Sequence, residues 1–179
     1  ALDKITSGWQ NSDLIIIAAR PAMGKTAFVL SMAKNMAVNH NVPVALFSLE
    51  MSNVQLVNRL IVNVCEIPGE KIKSGRLESY EWEQLDFKIK ELYDAPIYVD
   101  DTPSLSVFEL RTKARRLVRE HGVRCIIIDY LQLMNASGMS FGSREQEVST
   151  ISRSLKGLAK ELNIPIIALS QLNRGVESR

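Results

Sequence analysis

The stretch Leu-Ile-Ile-Ile-Ala-Ala-Arg-Pro-Ala-Met-Gly-Lys-Thr, residues 14–26, decides the fold of this chain. Its apolar first part, residues 14–18, predicts a buried strand, and the apolar spacing of residues 27–37 predicts a helix after it. Between the two, Gly24, Lys25 and Thr26 supply a backbone turned toward a phosphate, a lysine for the β- and γ-oxygens, and a hydroxyl for Mg²⁺. This order predicts a strand, a phosphate-binding loop and a helix.

The first position of the loop departs from the general phosphate-loop pattern, which begins with a glycine where this chain has Ala19. Gly-Lys-Thr triplets also occur by chance, and the alternative is a helix N-terminus without a ligand. The flanking strand and helix favour nucleotide binding, because a helix N-terminus directs its amide groups at an anion. The residues predicted to contact ATP are Ala22, Met23, Gly24, Lys25, Thr26 and Ala27.

Composition is that of one globular domain: 179 residues, 46% hydrophobic and 23% charged. The net charge of +2 neither requires nor excludes a polyanionic partner. No apolar run reaches the ~20 residues of a membrane helix, and the start shows no signal peptide, so we expect no membrane partner and a cytoplasmic protein. Cys65 and Cys125 lie in apolar surroundings and are expected to pack as small hydrophobes.

Apolar runs without polar alternation recur along the chain, at residues 42–49, 96–99, 124–128 and 164–169. Such runs are typical of parallel strands covered by helices on both faces. The stretches between them begin at capping boxes, Ser52/Gln55, Ser106/Glu109 and Ser143/Gln146, and continue with apolar residues at helical spacing. We therefore expect an α/β fold, a doubly wound, mainly parallel sheet of about five strands. The segment 135–142, rich in Gly, Ser and Asn, is predicted to be flexible.

Polar residues end three of these strands, at the sheet edge where an open α/β sheet binds its ligand. Asp129 is a candidate Mg²⁺ anchor, or else a strand-end carboxylate that starts a turn. Glu50 is a candidate general base for the attacking water, or else part of a solvated turn before Ser52. Gln171 is a candidate sensor of the γ-phosphate, or else a residue held by a capping or sheet-edge hydrogen bond.

Four motifs in order resemble the motor domain of the DnaB-type bacterial replicative helicases: residues 19–26, 47–51 (Phe-Ser-Leu-Glu-Met), 127–134 (Ile-Ile-Asp-Tyr-Leu-Gln-Leu-Met) and 170–174 (Ser-Gln-Leu-Asn-Arg). The resemblance covers the whole chain and implies a RecA-like core in which alanine at position 19 is common. It also implies roles: Lys25 and Thr26 for phosphate and Mg²⁺, Glu50 as the catalytic carboxylate, Asp129 as the metal anchor and Gln171 as the γ-phosphate sensor.

The resemblance further implies a homo-hexamer that hydrolyses ATP between subunits, moves 5′–3′ on single-stranded DNA, and works with a primase and a helicase loader. Residues 135–144 match the first central-channel loop, with a solvated connection as the alternative. A scaffold domain and linker helix are expected before Ala1, and the arginine finger, a second DNA loop and the last strands after Arg179, so the domain is expected to be truncated at its C-terminal end. One basic cluster is expected to be a solvated helix face rather than a DNA contact: Arg111, Lys113, Arg115, Arg116 and Arg119.

Two other functions compete with this one. A recombinase-type (RecA/RadA-like) or signalling ATPase would use ATP on the same core as an assembly switch. A non-enzymatic module would use the loop only for docking, but such a module has no need of the carboxylates Glu50 and Asp129. The motifs around Met51 and around Tyr130, Leu131 and Gln132 favour the helicase over the recombinase-type or signalling ATPase.

Overall fold

A parallel sheet runs through the centre of the computed structural model, which describes residues 10–19, 24–65, 69–136 and 142–171. Its five strands stand in the order β1-β5-β4-β2-β3, and every pair is parallel. They are β1 (Leu14–Ala19), β2 (Val44–Ser48), β3 (Ile97–Asp100), β4 (Cys125–Asp129) and β5 (Ile166–Gln171). The parallel sheet and the strand number predicted from the apolar runs are confirmed.

Helices connect successive strands. They are α1 (Lys25–Lys34), which continues as a π-helical turn (Asn35–Asn39), α2 (Asn53–Cys65), α3 (Gly69–Ser74), α4 (Ser79–Asp94), α5 (Val107–His121) and α6 (Arg144–Leu162), with a 3₁₀ turn at Leu131–Leu133. Helices α5 and α6 pack on one face of the sheet and α1 and α2 on the other, so neighbouring residues of β4 are buried in two separate cores. This alternation explains why the central strands are apolar at consecutive positions.

The prediction for the first strand, β1, is wrong in one respect. The sequence predicted that helices cover both of its faces, but Ile16 is 47% exposed. Ile15 and Ile17 pack into the core under α1 and α2, whereas the opposite face of β1 is only partly covered. The reason is position: β1 pairs with β5 alone and forms one edge of the sheet.

The ends of the strands and helices differ from the predictions in ways that matter for the site. The observed β4 and β5 each extend to the polar residue that was predicted to follow them, Asp129 and Gln171. Helices α3 and α4 were not predicted. Helix α4 begins at a capping box made of two glutamates, Glu78 and Glu81, and not at one of the serine capping boxes that marked the predicted helices.

The predicted capping boxes mark the helix starts correctly. Ser52 and Gln55 exchange both hydrogen bonds of a capping box. The Ser106 and Ser143 hydroxyl groups each accept a bond from the amide three residues later. Gln146, in contrast, accepts from the Gly142 amide rather than from the cap residue. Each of these three helices thus begins where a side chain accepts a hydrogen bond from an amide that has no partner within the helix.

The segment predicted to be flexible, residues 135–142, is held at its start. Asn135 exchanges backbone hydrogen bonds with Leu105 and Val107, and Ala136 is buried. That part of the prediction is wrong, because the chain pairs with the residues before α5; residues 137–141 lie outside the described residues.

Cys125 is buried in β4, as predicted, and burial raises the pKa of its thiol to about 12; the side chain of Cys65 is not among those described. None of the described helices combines the length and the apolar character needed to cross a membrane.

Candidate nucleotide-binding site

The N-terminus of α1 faces the carboxyl ends of the strands, so the predicted loop and the predicted carboxylates meet at one edge of the sheet. Gly24 precedes α1 with a φ of 71°, a left-handed conformation that strains any residue with a side chain. Its carbonyl accepts the first helical bond, from Phe28. The first turn of α1 carries no acidic side chain to neutralise the helix dipole, so the site attracts an anion. Ala22 and Met23 lie outside the described residues.

Lys25 is the centre of the charged cluster. Its Nζ lies 3.1 Å from Asp129 Oδ1 and 3.8 Å from Glu50 Oε2. The same ammonium group lies 4.2 Å from the centroid of the Tyr130 ring, a cation–π contact. The lysine side chain is only 9% exposed, so its charge is balanced by these groups more than by water. Three residues predicted separately from the sequence are therefore in contact.

Strand pairing brings the two carboxylates together. Ser48 of β2 stands opposite Asp129 of β4, and the Leu49 amide donates to the Asp129 carbonyl, which places Glu50 beside the end of β4. The Ser48 hydroxyl bridges the carbonyl and amide of Met51 and closes the turn around Glu50. The motif at residues 47–51 thus acts as a strand end and a tight turn that present one carboxylate.

The surroundings of the Asp129 carboxyl group indicate whether the site suits a metal. Its carboxyl group is buried, and Oδ1 makes no hydrogen bond with the described residues, since the contact with Lys25 has the distance of an ion pair but not the angles of a hydrogen bond. A buried carboxylate oxygen with spare acceptor capacity fits a hydrated Mg²⁺, which proteins hold through one or two carboxylates and substrate phosphates. The described residues contain no cluster of three or more acidic, His or Cys side chains that could hold a metal without a nucleotide.

Tyr130 joins the site although the sequence assigned it no role. Burial, and after it the negative charges of Glu50 and Asp129, raise the pKa of its hydroxyl. The peptide bond that joins Asp129 to Tyr130 is cis. Because its pKa is raised, the Tyr130 phenol remains neutral beside Lys25, and the face of its ring contacts the ammonium group.

A cavity of about 430 Å³ opens beside this cluster. It is lined by the start of α1, the turn after β2, one residue of α2 and the end of β5: Gly24, Lys25, Thr26, Ala27, Glu50, Met51, Arg59 and Gln171. The Glu50 side chain is 48% exposed, so its carboxylate is accessible to water. Every described residue among the predicted nucleotide ligands therefore lies in one cavity.

Arg59 is a lining residue that sequence reasoning missed. It adds a positive charge to the lining of the cavity. The sequence held one indication of its position. Leu56 and Leu60 belong to the buried apolar face of α2, whereas Arg59 lies outside that face and follows Glu50 by nine residues. From the sequence alone, an arginine at this position is interpreted as a solvated surface residue, and only the fold shows that it lines the cavity.

The hydrogen-bond alternative predicted for Gln171 is observed, and the γ-phosphate sensor stays a prediction. Its residue lines the cavity, and its backbone is held by the side chain of Gln132, which donates to the Gln171 carbonyl and accepts from the Gln171 amide, each at 3.1 Å. The hydrogen bond at the sheet end is therefore real, and it leaves the side chain of Gln171 without a described hydrogen bond of its own. Gln132 was not predicted as a site residue, because the contact joins residues 39 positions apart.

Three of the five residues in the basic cluster of α5 form ion pairs within the chain. Lys113 pairs with Asp100, Arg115 with Glu161 and Arg116 with Glu120. Burial alone would raise the pKa of Asp100, but the hydrogen bonds from Lys113 and Thr102 outweigh it and lower that pKa. These pairs favour the predicted solvated helix face over a DNA contact.

The chain is similar to known proteins along its whole length. A model of the DnaB-like helicase C-terminal domain matches residues 1–179. The replicative DNA helicase DnaB of Nostoc sp. (strain PCC 7120) is 54% identical over 180 residues, which cover 99% of this chain and 20% of that protein. The DnaB of Geobacillus stearothermophilus is 53% identical over 178 residues, covering 99% and 39%. The chain therefore spans well under half the length of these relatives.

Solved structures agree with the sequence comparison. A DnaB-like replicative helicase, described with its interactions with primase, has a TM-score of 0.90 and 42% identity, covering 99% of this chain and 44% of the other. A second solved structure, described as an ATPase domain, has the same TM-score and identity and covers 99% and 63%. The predicted RecA-like fold is confirmed by these likenesses.

Proposed function

The chain belongs to the DnaB-like helicase C-terminal domain family, and on that premise we propose that it is the ATP-hydrolysing motor of a replicative DNA helicase. The observation that carries the proposal is the cluster at the start of α1, where Lys25 Nζ lies within 4 Å of both Asp129 and Glu50. A binding module that only docks on a partner has no use for two carboxylates at a phosphate-binding helix N-terminus, whereas a hydrolase requires them.

Phosphate binding is assigned to the first turn of α1. Its amide groups and the partial positive charge of the helix dipole attract the β-phosphate, and Lys25 supplies a full positive charge for the β- and γ-oxygens. The Thr26 hydroxyl and Asp129 would hold Mg²⁺, which when bound neutralises phosphate charge. The buried carboxylate of Asp129 forms an ion pair with Lys25 at the edge of the cavity.

Proton transfer is assigned to Glu50. Its carboxylate stands at the accessible side of the cavity, where it can orient the attacking water and accept its proton. The side chain of Gln171, at the end of β5, is assigned to the γ-phosphate, and its backbone is held in place by Gln132. These residues bind, orient and accept a proton, which is most of what phosphoryl transfer asks of a protein.

The site is proposed to lie between subunits. Glu50 and Arg59 line the cavity and are both exposed, and the charge that an arginine finger supplies is assigned to a neighbouring copy in a homo-hexamer. Single-stranded DNA is the proposed track, with 5′–3′ movement, and a primase and a loader are the proposed partners in the cytoplasm. We also propose that these 179 residues work within a longer chain, called the full-length parent below, because they cover only part of each relative.

ATP-dependent unwinding tests this function. The full-length parent is incubated with a forked duplex, MgATP and a trap strand, and strand separation is measured for the wild type, for Lys25→Ala and for Lys34→Ala. Lys34 lies in the last turn of α1, so its removal changes the same charge away from the cluster. We expect unwinding by the wild type and the control, and none by Lys25→Ala. ATP-dependent assembly on single-stranded DNA without strand separation would instead indicate the recombinase-type switch.

A further inference from the structure

We propose that Gln132 is a positioning residue that couples the nucleotide site to Arg144 at the start of α6. The inference rests on the proposed function, because it concerns how that site communicates with the part of the chain predicted to face DNA. Gln132 itself does not line the nucleotide cavity.

The side chain of Gln132 reproduces the hydrogen bonds of a neighbouring strand. Its Oε1 accepts from the Gln171 amide at 3.1 Å, and its Nε2 donates to the Gln171 carbonyl at 3.1 Å and to the Ser170 hydroxyl at 2.7 Å. An amide side chain offers both a donor and an acceptor, so it holds the last residues of β5 in register beyond their pairing with β4. Any displacement of the Gln171 backbone therefore moves the Gln132 side chain.

The backbone of Gln132 is held from the opposite side by Arg144. The Arg144 guanidinium donates from Nη2 to the carbonyls of Gln132 and Met134, and its Nη1 lies 2.8 Å from Glu147 Oε1. Glu147 also accepts from the Ala136 amide at 3.4 Å. One guanidinium thus joins the Leu131–Leu133 turn to the first turn of α6, and the residues on both sides of 137–141 belong to the same network.

The position of Arg144 is unfavourable for the helix alone. It is the first residue of α6, where the helix dipole disfavours a positive charge. Glutamates in the same first turn offset part of this cost. A residue that breaks a local preference while bonding two carbonyls outside its own helix is expected to serve a purpose beyond helix stability.

The turn between these contacts is anchored in the core. Leu131 and Met134 are buried, so Gln132 sits on a short rigid bridge rather than in a loose loop. A rigid bridge transmits a shift of the Gln171 backbone to Arg144 instead of absorbing it. The physical link is therefore continuous from the end of β5, through the Gln132 side chain and carbonyl, to the start of α6.

The test measures coupling rather than activity. In the full-length parent, the affinity for a fluorescent single-stranded oligonucleotide is measured with and without a non-hydrolysable ATP analogue, and the analogue's affinity with and without DNA. Allosteric coupling of about 5- to 150-fold is typical, and the two ratios must agree by linkage. We expect Gln132→Ala to reduce this ratio at least fivefold while changing the analogue's affinity without DNA by less than threefold.

Two further variants sharpen the comparison. Gln132→Glu keeps an acceptor for the Gln171 amide but loses the donors, so its ratio should fall between those of the wild type and Gln132→Ala. Gln84→Ala removes an exposed glutamine of α4 that has no described hydrogen bond, and its ratio should equal that of the wild type. A purely structural role for Gln132 would weaken both affinities and leave the ratio intact, and that result overturns the inference.

Arg144→Lys covers the possibility that Gln132→Ala does not fold. A lysine keeps the charge but cannot serve two carbonyls and Glu147 with the planar geometry of a guanidinium, so the ratio should fall in the same direction. A wild-type ratio in this variant contradicts the inference. A wild-type parent whose DNA affinity does not respond to the analogue overturns the proposed function instead, so the two failures can be told apart.

Discussion

Lys25 Nζ lies between Asp129, Glu50 and the Tyr130 ring, so a mostly buried ammonium group has two carboxylates and an aromatic face as neighbours. Burying a charge without an opposite charge beside it is costly, and here two carboxylates lie beside the ammonium group. In the proposed function the pairing also has a chemical use, because it holds the lysine at the helix N-terminus where a phosphate would bind. The same contacts that stabilise the residue therefore prepare it for its proposed role.

Glu50→Gln should separate binding from hydrolysis in the full-length parent. The amide keeps the shape of the side chain but cannot accept a proton, so we expect nucleotide affinity within about threefold of the wild type and ATP hydrolysis slower by about 10²- to 10⁴-fold. Affinity is measured by titration with a fluorescent ATP analogue, and hydrolysis by phosphate release.

Glu83→Gln is the matched control, since Glu83 is exposed on α4 and belongs to no described ion pair or hydrogen bond. Hydrolysis by Glu50→Gln at the wild-type rate would assign the general base to another residue. Equal loss of affinity and rate would show that Glu50 supports the cavity rather than the reaction.

At the scale of the element, β4 delivers Asp129 because the strand is buried from end to end. All five of its residues are buried, and its neighbours β2 and β5 cover both edges. Cys125 is the first residue of β4, and its burial raises the pKa of its thiol from an ordinary 9.0 to about 12. The protonated thiol is the form that fits the strand.

Alkylation of Cys125 tests the burial of β4. At pH 8 a thiol with a pKa of 12 is ionised to a fraction of about 10⁻⁴, against about 0.1 for a pKa of 9, so the folded chain should react with iodoacetamide about 10³-fold more slowly than the chain in guanidinium. The Cys65→Ser background leaves Cys125 as the reporting thiol. The raised pKa also means that this residue's contribution to stability is complete below pH 9 and is lost as the pH rises toward 12.

A folded chain that reacts at the rate of the unfolded one would contradict this description of β4. As a control, Cys125→Ala in the same background should show no alkylation in either state. That comparison excludes reaction at other side chains.

The elements show what could and could not be predicted from the sequence. The strands were predictable because buried parallel strands are apolar at every position, and Glu50, Asp129 and Gln171 because polar residues at strand ends of such a sheet converge. The exposure of Ile16 was not, since it depends on β1 standing at the edge of the order β1-β5-β4-β2-β3. Gln132 escaped prediction for a similar reason: its partner comes from a strand 39 residues away.

At the scale of the whole molecule, two cores fix the sheet and leave the chemistry at its edge. Helices on both faces hold β2, β4 and β5 rigidly, whereas the cavity beside Lys25 is bordered by exposed side chains such as Glu50 and Arg59. An open cavity rich in charge suits a site that a neighbouring subunit completes. We therefore propose that this chain holds the phosphate-binding half of a shared ATP site.

The most direct test of that claim compares the 179-residue chain with its full-length parent. Nucleotide affinity and single-stranded-DNA-stimulated ATP hydrolysis per subunit are measured for both under the same conditions. Because an arginine finger from a neighbouring subunit is worth about 10³ to 10⁵ in rate, we expect similar affinities but hydrolysis at least about 10³-fold slower in the shorter chain. If the chain alone hydrolyses ATP at the parental rate, the site is complete within one subunit and the claim is contradicted.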